Sequence, residues 1–132
     1  MGHILKNLIR VGRVSSISPE RATARVLFEP QGVVSHDLKV IVPQTLKNKD
    51  YYMPDIGEHV VCLFLPTGNQ EGFILGSIYT DEDKPPTNNP DKRVMRFEDG
   101  TSIEYNRKTR TLTVDTHTVV FNGTVIVNGQ TI

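Results

Sequence analysis

The chain has one cysteine, no tryptophan and no net charge, and each shortage removes a class of protein. Cys62 alone can form no intramolecular disulfide and no cysteine-rich zinc site, so a reducing compartment suits the chain. Fifteen basic and fifteen acidic side chains cancel, leaving no overall field to draw in nucleic acid or an anionic membrane. The longest apolar run, Val60 to Pro66, is far below the roughly 20 residues that span a bilayer as a helix. Met1 to Val14 is interrupted by Lys6, Asn7 and Arg10 and has no small-residue cleavage pattern, so no signal peptide is expected. Neither a nucleophile-base-orienter set nor a phosphate loop is visible. Asp55, Glu58, Glu98, Asp99 and Glu104 fall at turns or exterior strand positions, so the expectation is a protein that is not an enzyme.

What is present is almost entirely strand-forming. Within 132 residues there is room for one ordinary domain and an appendage. Ile4, Leu5, Leu8 and Ile9 fall at the spacing of one apolar helical stripe, so residues 1–10 are expected to form a short docking helix that needs something to pack on. Val11 to Ile17 and Ala22 to Phe28 flank Ser18-Pro19-Glu20-Arg21, a hairpin signal. Glu29 to Gly32 breaks the pattern and Asp37 to Val42 resumes it. Val60 to Leu65 is apolar without alternation, which predicts a strand covered on both faces, with Cys62 as a packing residue. Glu71 to Tyr79 returns, with Gly72 and Gly76 marking bends or close backbone approaches. About five strands over residues 11–80 fit an OB-type barrel. Residues 81–93, polar and proline-rich, read as a semi-rigid linker.

The remainder, residues 94–132, is a strand-only tail. Asp99-Gly100 sits between Val94–Glu98 and Thr101–Asn106, and Thr109–Thr116 follows. Val120-Phe121-Asn122-Gly123-Thr124-Val125 is then echoed by Ile126-Val127-Asn128-Gly129-Gln130-Thr131, with Ile132 opening a further unit. Such a segment has neither disulfide nor metal to staple it, and a lone meander covers one face at best. Several chains must share its core, for which Val120, Phe121, Val125, Ile126, Val127 and Ile132 are the candidates. The apolar positions also change phase, Leu112, Val114 and Val120 sharing one parity and Val119, Phe121, Val125 and Val127 the other, as strands bending around an axis would.

Several ordered motifs carry a resemblance. They are Arg10-Val11-Gly12-Arg13-Val14, Met53-Pro54-Asp55-Ile56-Gly57-Glu58-His59-Val60-Val61, Gly72-Phe73-Ile74-Leu75-Gly76-Ser77-Ile78-Tyr79, Pro85-Pro86, and the run from Phe97 to Asn106. Together they resemble the baseplate assembly protein V, or central spike, family of contractile-tailed phages and related injection systems. The resemblance implies an all-β homotrimer, an N-terminal OB-fold barrel followed by an intertwined triple-stranded β-helix. It implies a virion tail baseplate component assembled in the bacterial host cytoplasm. Its needle would be held by hub and tail tube proteins, with Ile4, Leu5, Leu8 and Ile9 as hub-docking candidates, and would touch the host envelope transiently while helping to pierce it. A separate tip protein could cap the short needle. No cofactor is implied, except that some members enclose an iron ion with a His-x-His pair; here three copies of His117 could offer imidazoles to an axial metal.

Two rival readings share the barrel. Lys47, Lys49, Tyr51 and Tyr52 would suit an OB-fold binder of single-stranded nucleic acid, although with zero net charge the bland reading is a solvated loop with two partly buried tyrosines and no nucleic acid partner. The other rival is a monomeric assembly adaptor with a disordered tail.

Overall fold

Proline at position 19 and the β-branched runs on either side of it dictate the first hairpin. The structure, a computed structural model, describes residues 8–67 and 71–129. β1 (Ile9–Ser18) ends where Pro19 opens a 3-10 turn over Pro19–Arg21, and Ala22 takes a left-handed conformation at φ 54°. β2 (Thr23–Phe28) returns antiparallel, from Ser18 opposite Thr23 to Arg13 opposite Leu27, with a bulge between Val14 and Ser16.

β3 (Val33–Val34), β4 (Leu38–Val40), β5 (His59–Phe64) and β6 (Gly72–Ser77) complete this unit. β1 pairs with β5, β5 with β6, β6 in parallel with β4, and β4 with β2, which closes a five-stranded ring back onto β1. β3 lies outside the ring, beside the last residues of β2. This closed all-β connectivity is consistent with an OB-fold.

Every ring strand sends side chains into one core: Val14, Ala24, Val26, Phe28, Leu38, Val60, Cys62 and Ile74. Phe64 meets Phe28 edge to face at 5.7 Å, and the Arg10 guanidinium lies 4.0 Å above the Phe28 ring. Two glycines make this tight wall possible. A β-carbon on Gly12 would lie 2.6 Å from Val26 Cγ1, and one on Gly72 would lie 2.6 Å from the Leu63 carbonyl oxygen. Gly76, by contrast, has open space around it and borders the bulge at which Leu75 is left over between β5 and β6.

Several expectations need correction. The helix predicted through Ile9 does not extend that far: Ile9 begins β1 opposite Leu63, and the Leu8 carbonyl accepts the Phe64 amide at 2.7 Å. A helix of so few residues cannot compete with a neighbouring strand that satisfies the same backbone groups. Ile4 and Leu5 lie outside the described residues. β5 is not covered on both faces; Val60 and Cys62 are fully buried while Val61 and Leu63 are half-exposed, as on any barrel wall with one solvent side. β3 forms in the stretch between the Glu29–Gly32 break and Asp37 to which no strand was assigned, after Gly32 turns the chain at φ 72°. Tyr51 and Tyr52 expose their rings and use only their hydroxyls, donating to the carbonyls of Pro19 and Ile41, each at 3.1 Å.

The compact units divide between Lys84 and Pro85. In the second, β7 (Lys92–Arg96), β8 (Ser102–Asn106) and β9 (Thr111–Asp115) form one antiparallel sheet in chain order. β7 starts two residues before the expected Val94, within the stretch read as linker. Gly100 turns the first hairpin at φ 90°, and Arg110 turns the second at φ 56°. Asp99 Oδ1 accepts the Thr101 amide at 2.9 Å, and this bond holds the Asp99 carboxyl below the ordinary value of 3.8. A carboxylate favoured in the fold stabilises it above its ordinary pKa, and that contribution fades as pH falls through the lowered value. An NMR titration is expected to place the Asp99 midpoint below 3.8; a midpoint at or above it would show that the turn does not hold the carboxylate.

Candidate assembly surface

Register decides what each face of the second sheet displays. Arg93, Tyr105 and Leu112 form one cross-strand row and Met95, Ile103 and Val114 the next, all on the same face. The opposite face carries Lys92, Asn106 and Thr111, then Val94, Glu104 and Thr113, then Arg96, Ser102 and Asp115. Lys92 and Glu104 pair across it at 3.3 Å. One face is therefore apolar, with Arg93 as its only charge, and the other is polar.

Burial runs the wrong way for a finished sheet. Met95, Ile103, Tyr105, Leu112 and Val114 are all exposed, from 39% for Ile103 to 65% for Leu112. Lys92, Val94, Ser102, Glu104 and Asn106, on the polar face, are better covered. Not one described residue of the second unit is buried, whereas the barrel unit has a full core. Soluble proteins rarely leave so continuous an apolar face open, and such faces mark sites of association.

Beyond Asp115 the chain forms no strand through Gly129. Five of the six residues expected to build a shared core lie here: Val120, Phe121, Val125, Ile126 and Val127 are all exposed, Ile126 to 81%, and Ile132 lies outside the described residues. The sequence reading placed the shared core in this segment and overlooked the open face of the preceding sheet. Its signal was the strict alternation of Ser102-Ile103-Glu104-Tyr105-Asn106 and Thr111-Leu112-Thr113-Val114-Asp115.

The other candidates are scattered. His117 is exposed and outside any strand, with Nδ1 2.8 Å from the Thr118 hydroxyl. Among the described residues no three His, Cys, Asp or Glu side chains gather where they could hold a metal. Leu8 is half-exposed at a turn and Ile9 is exposed on the outer face of β1, beside Val11. Lys49 donates to the Thr45 carbonyl at 2.9 Å within its own loop. Asp55 and Glu58 are tied to each other locally, the Asp55 amide donating to Glu58 Oε1 at 3.0 Å, and Glu58 also accepts from Ser77. Cys62 is buried, and loss of hydration pushes its thiol up to about 11, far from a reactive thiolate.

No family model matches the chain. Among curated proteins it is similar to the spike protein of Escherichia phage P2, with 27% identity over 128 residues that make up 95% of this chain and 60% of the phage protein, so the chain spans about three fifths of that relative's length.

Proposed function

We propose that the protein is a structural component of a phage tail baseplate, a central spike that assembles as a homotrimer and acts mechanically rather than as an enzyme. The observation that carries this reading is the open apolar face of the β7–β9 sheet, followed by an apolar segment that has no strand partner among the described residues. The similarity to a phage spike protein over nearly the whole chain supports it. Three such faces turned toward a common axis would bury one another, gaining roughly 1 to 1.5 kcal/mol for each half-exposed side chain. In this reading the strands after Asp115 interlock into a needle whose backbone hydrogen bonds share an axial load, which is what penetration of a cell envelope requires. The barrel serves as the collar held by hub proteins. Docking to the hub falls to a strand rather than a helix, with Ile9 and Val11 on the outer face of β1 next to the half-exposed Leu63 and Phe73 of β5 and β6.

Light scattering on the purified chain tests the reading. The expected particle is three times the 14.8 kDa chain mass and resists dilution. A 14.8 kDa particle at micromolar concentration would leave the assembly adaptor as the better description.

A further inference from the structure

An asparagine amide is open to attack by the backbone nitrogen of the residue that follows it. A hydrogen bond on that nitrogen, a side chain in the way or a following proline prevents the reaction. Most described asparagines have such a guard. Asn89 precedes Pro90, which has no N–H. After Asn88 the Asn89 amide donates to the Thr87 hydroxyl at 3.2 Å, and after Asn106 the Arg107 amide donates to the Asp91 carbonyl at 3.0 Å. Asn48 precedes Lys49, whose side chain crowds the approach. Gly129, after Asn128, is engaged by another group.

Asn122 has none of these guards. It is exposed and outside any strand, and among the described residues neither its side chain nor the Gly123 N–H makes a hydrogen bond. Gly123 has no side chain, and a β-carbon built there would meet nothing within 4 Å. Asp99-Gly100 shows the guarded counterpart. There the Gly100 N–H donates to the Phe97 carbonyl at 3.0 Å, and the carboxylate accepts the Thr101 amide at 2.9 Å.

We infer that Asn122-Gly123 is a spontaneous modification site that converts in single chains and is protected in the assembled protein. The Gly123 nitrogen bonds to Asn122 Cγ, the Cγ–Nδ2 bond breaks, and ammonia leaves with the proton that the attacking nitrogen gives up. Water then adds to either carbonyl of the resulting cyclic imide, which opens to aspartate or to isoaspartate. Water is the only co-reactant. Either product places a carboxylate in a segment that has no Lys, Arg, Asp or Glu from Thr116 onward. Isoaspartate also lengthens the main chain, which displaces Val119 and Phe121 in phase from Val125 and Val127. A shared core excludes a chain that brings in an unpaired charge, so the reaction removes copies that stay unassembled. The protection and the removal rest on the homotrimer reading; the susceptibility of the dipeptide does not.

Tandem mass spectrometry after incubation in mildly alkaline buffer tests the inference by reading amide-to-acid conversion at each asparagine. The samples are the assembled wild type, Ile103→Asp, which puts a charge on the open face, and the wild type unfolded in urea. The urea sample gives the single-chain rate whether or not the substitution separates the copies. Asn122 is expected to convert faster than Asn48 and Asn106 in single chains, at a rate close to that in urea. In the assembled wild type it should be at least about tenfold slower, the factor set by an opening free energy of about 1.4 kcal/mol. Asn122→Asp, made directly, should lose the triple mass in light scattering. Conversion of Asn122 no faster than that of Asn48 in single chains overturns the site. Equal rates in assembled and single chains overturn the protection and leave the homotrimer standing. A wild type of 14.8 kDa removes the homotrimer and the protection together, and the site is still read from the same digests. An Asn122→Asp protein that assembles as the wild type does overturns the removal of modified copies.

Discussion

Replacing Ile103 by aspartate is expected to convert the assembled protein into single 14.8 kDa chains while the barrel stays folded. Ile103 is the middle of the row Met95-Ile103-Val114 on the central strand of the open face, so every packing against that face must cover it. The native side chain contributes about 1 to 1.5 kcal/mol when its exposed part is buried. A carboxylate in its place loses that gain and adds a desolvation cost of several kcal/mol per copy, and a symmetric assembly brings three such charges together. Ile103→Val, which removes one methylene, is the matched control and should cost about 0.5 to 1.5 kcal/mol per copy without abolishing assembly. Light scattering reads the mass, and thermal unfolding reads the barrel. A variant that keeps the triple mass would place the assembly contact elsewhere.

Leu38→Ala should act on the other unit, lowering barrel stability by about 2 to 5 kcal/mol. Leu38 is fully buried on β4, a strand of three residues that joins β2 to β6 and so closes the ring. Only two residue pairs tie β4 to each neighbour, so its position depends on this side chain more than on its ladder. Since small domains are stable by only about 5 to 15 kcal/mol, the loss is a large fraction of the whole. Urea unfolding measures it against Leu46→Ala, at a site 82% exposed, where a change of about 0.5 kcal/mol or less is expected. Equal midpoints for the two variants would contradict the closure role given to β4.

The sequence was most legible where one residue forces one conformation. Pro19 announced the first turn and Asp99-Gly100 the hairpin of the second unit, and the structure turns at both. Gly72 was read as a bend or a close backbone approach and is the latter, since the Leu63 carbonyl oxygen lies 2.6 Å from where its β-carbon would be. Legibility failed where partners distant in sequence decide. Leu8 and Ile9 fit a helical stripe, but a strand some 50 residues away claims their backbone. Val33 and Val34 pair because β2 extends beyond β4 and leaves room there. The uniform apolarity of Val60 to Leu65 suggested two covered faces, yet a run of apolar residues states only what a face tolerates. For the candidate surface, composition already showed a tail without disulfide or metal to staple it, and the structure finds none of its described residues buried. Which residues lie open required the register of β7, β8 and β9, because a shift of one residue would exchange the two faces.

The division between Lys84 and Pro85 also sets an order in time. Closing the barrel joins Ile9 to Leu63, the longest-range pairing of the ring, and every strand needed for it lies before the division. During synthesis the ring can close while the sheet that needs company is still emerging. The open apolar face therefore reaches solvent already attached to a folded barrel, so any association through it proceeds at a rate set by concentration rather than by its own collapse.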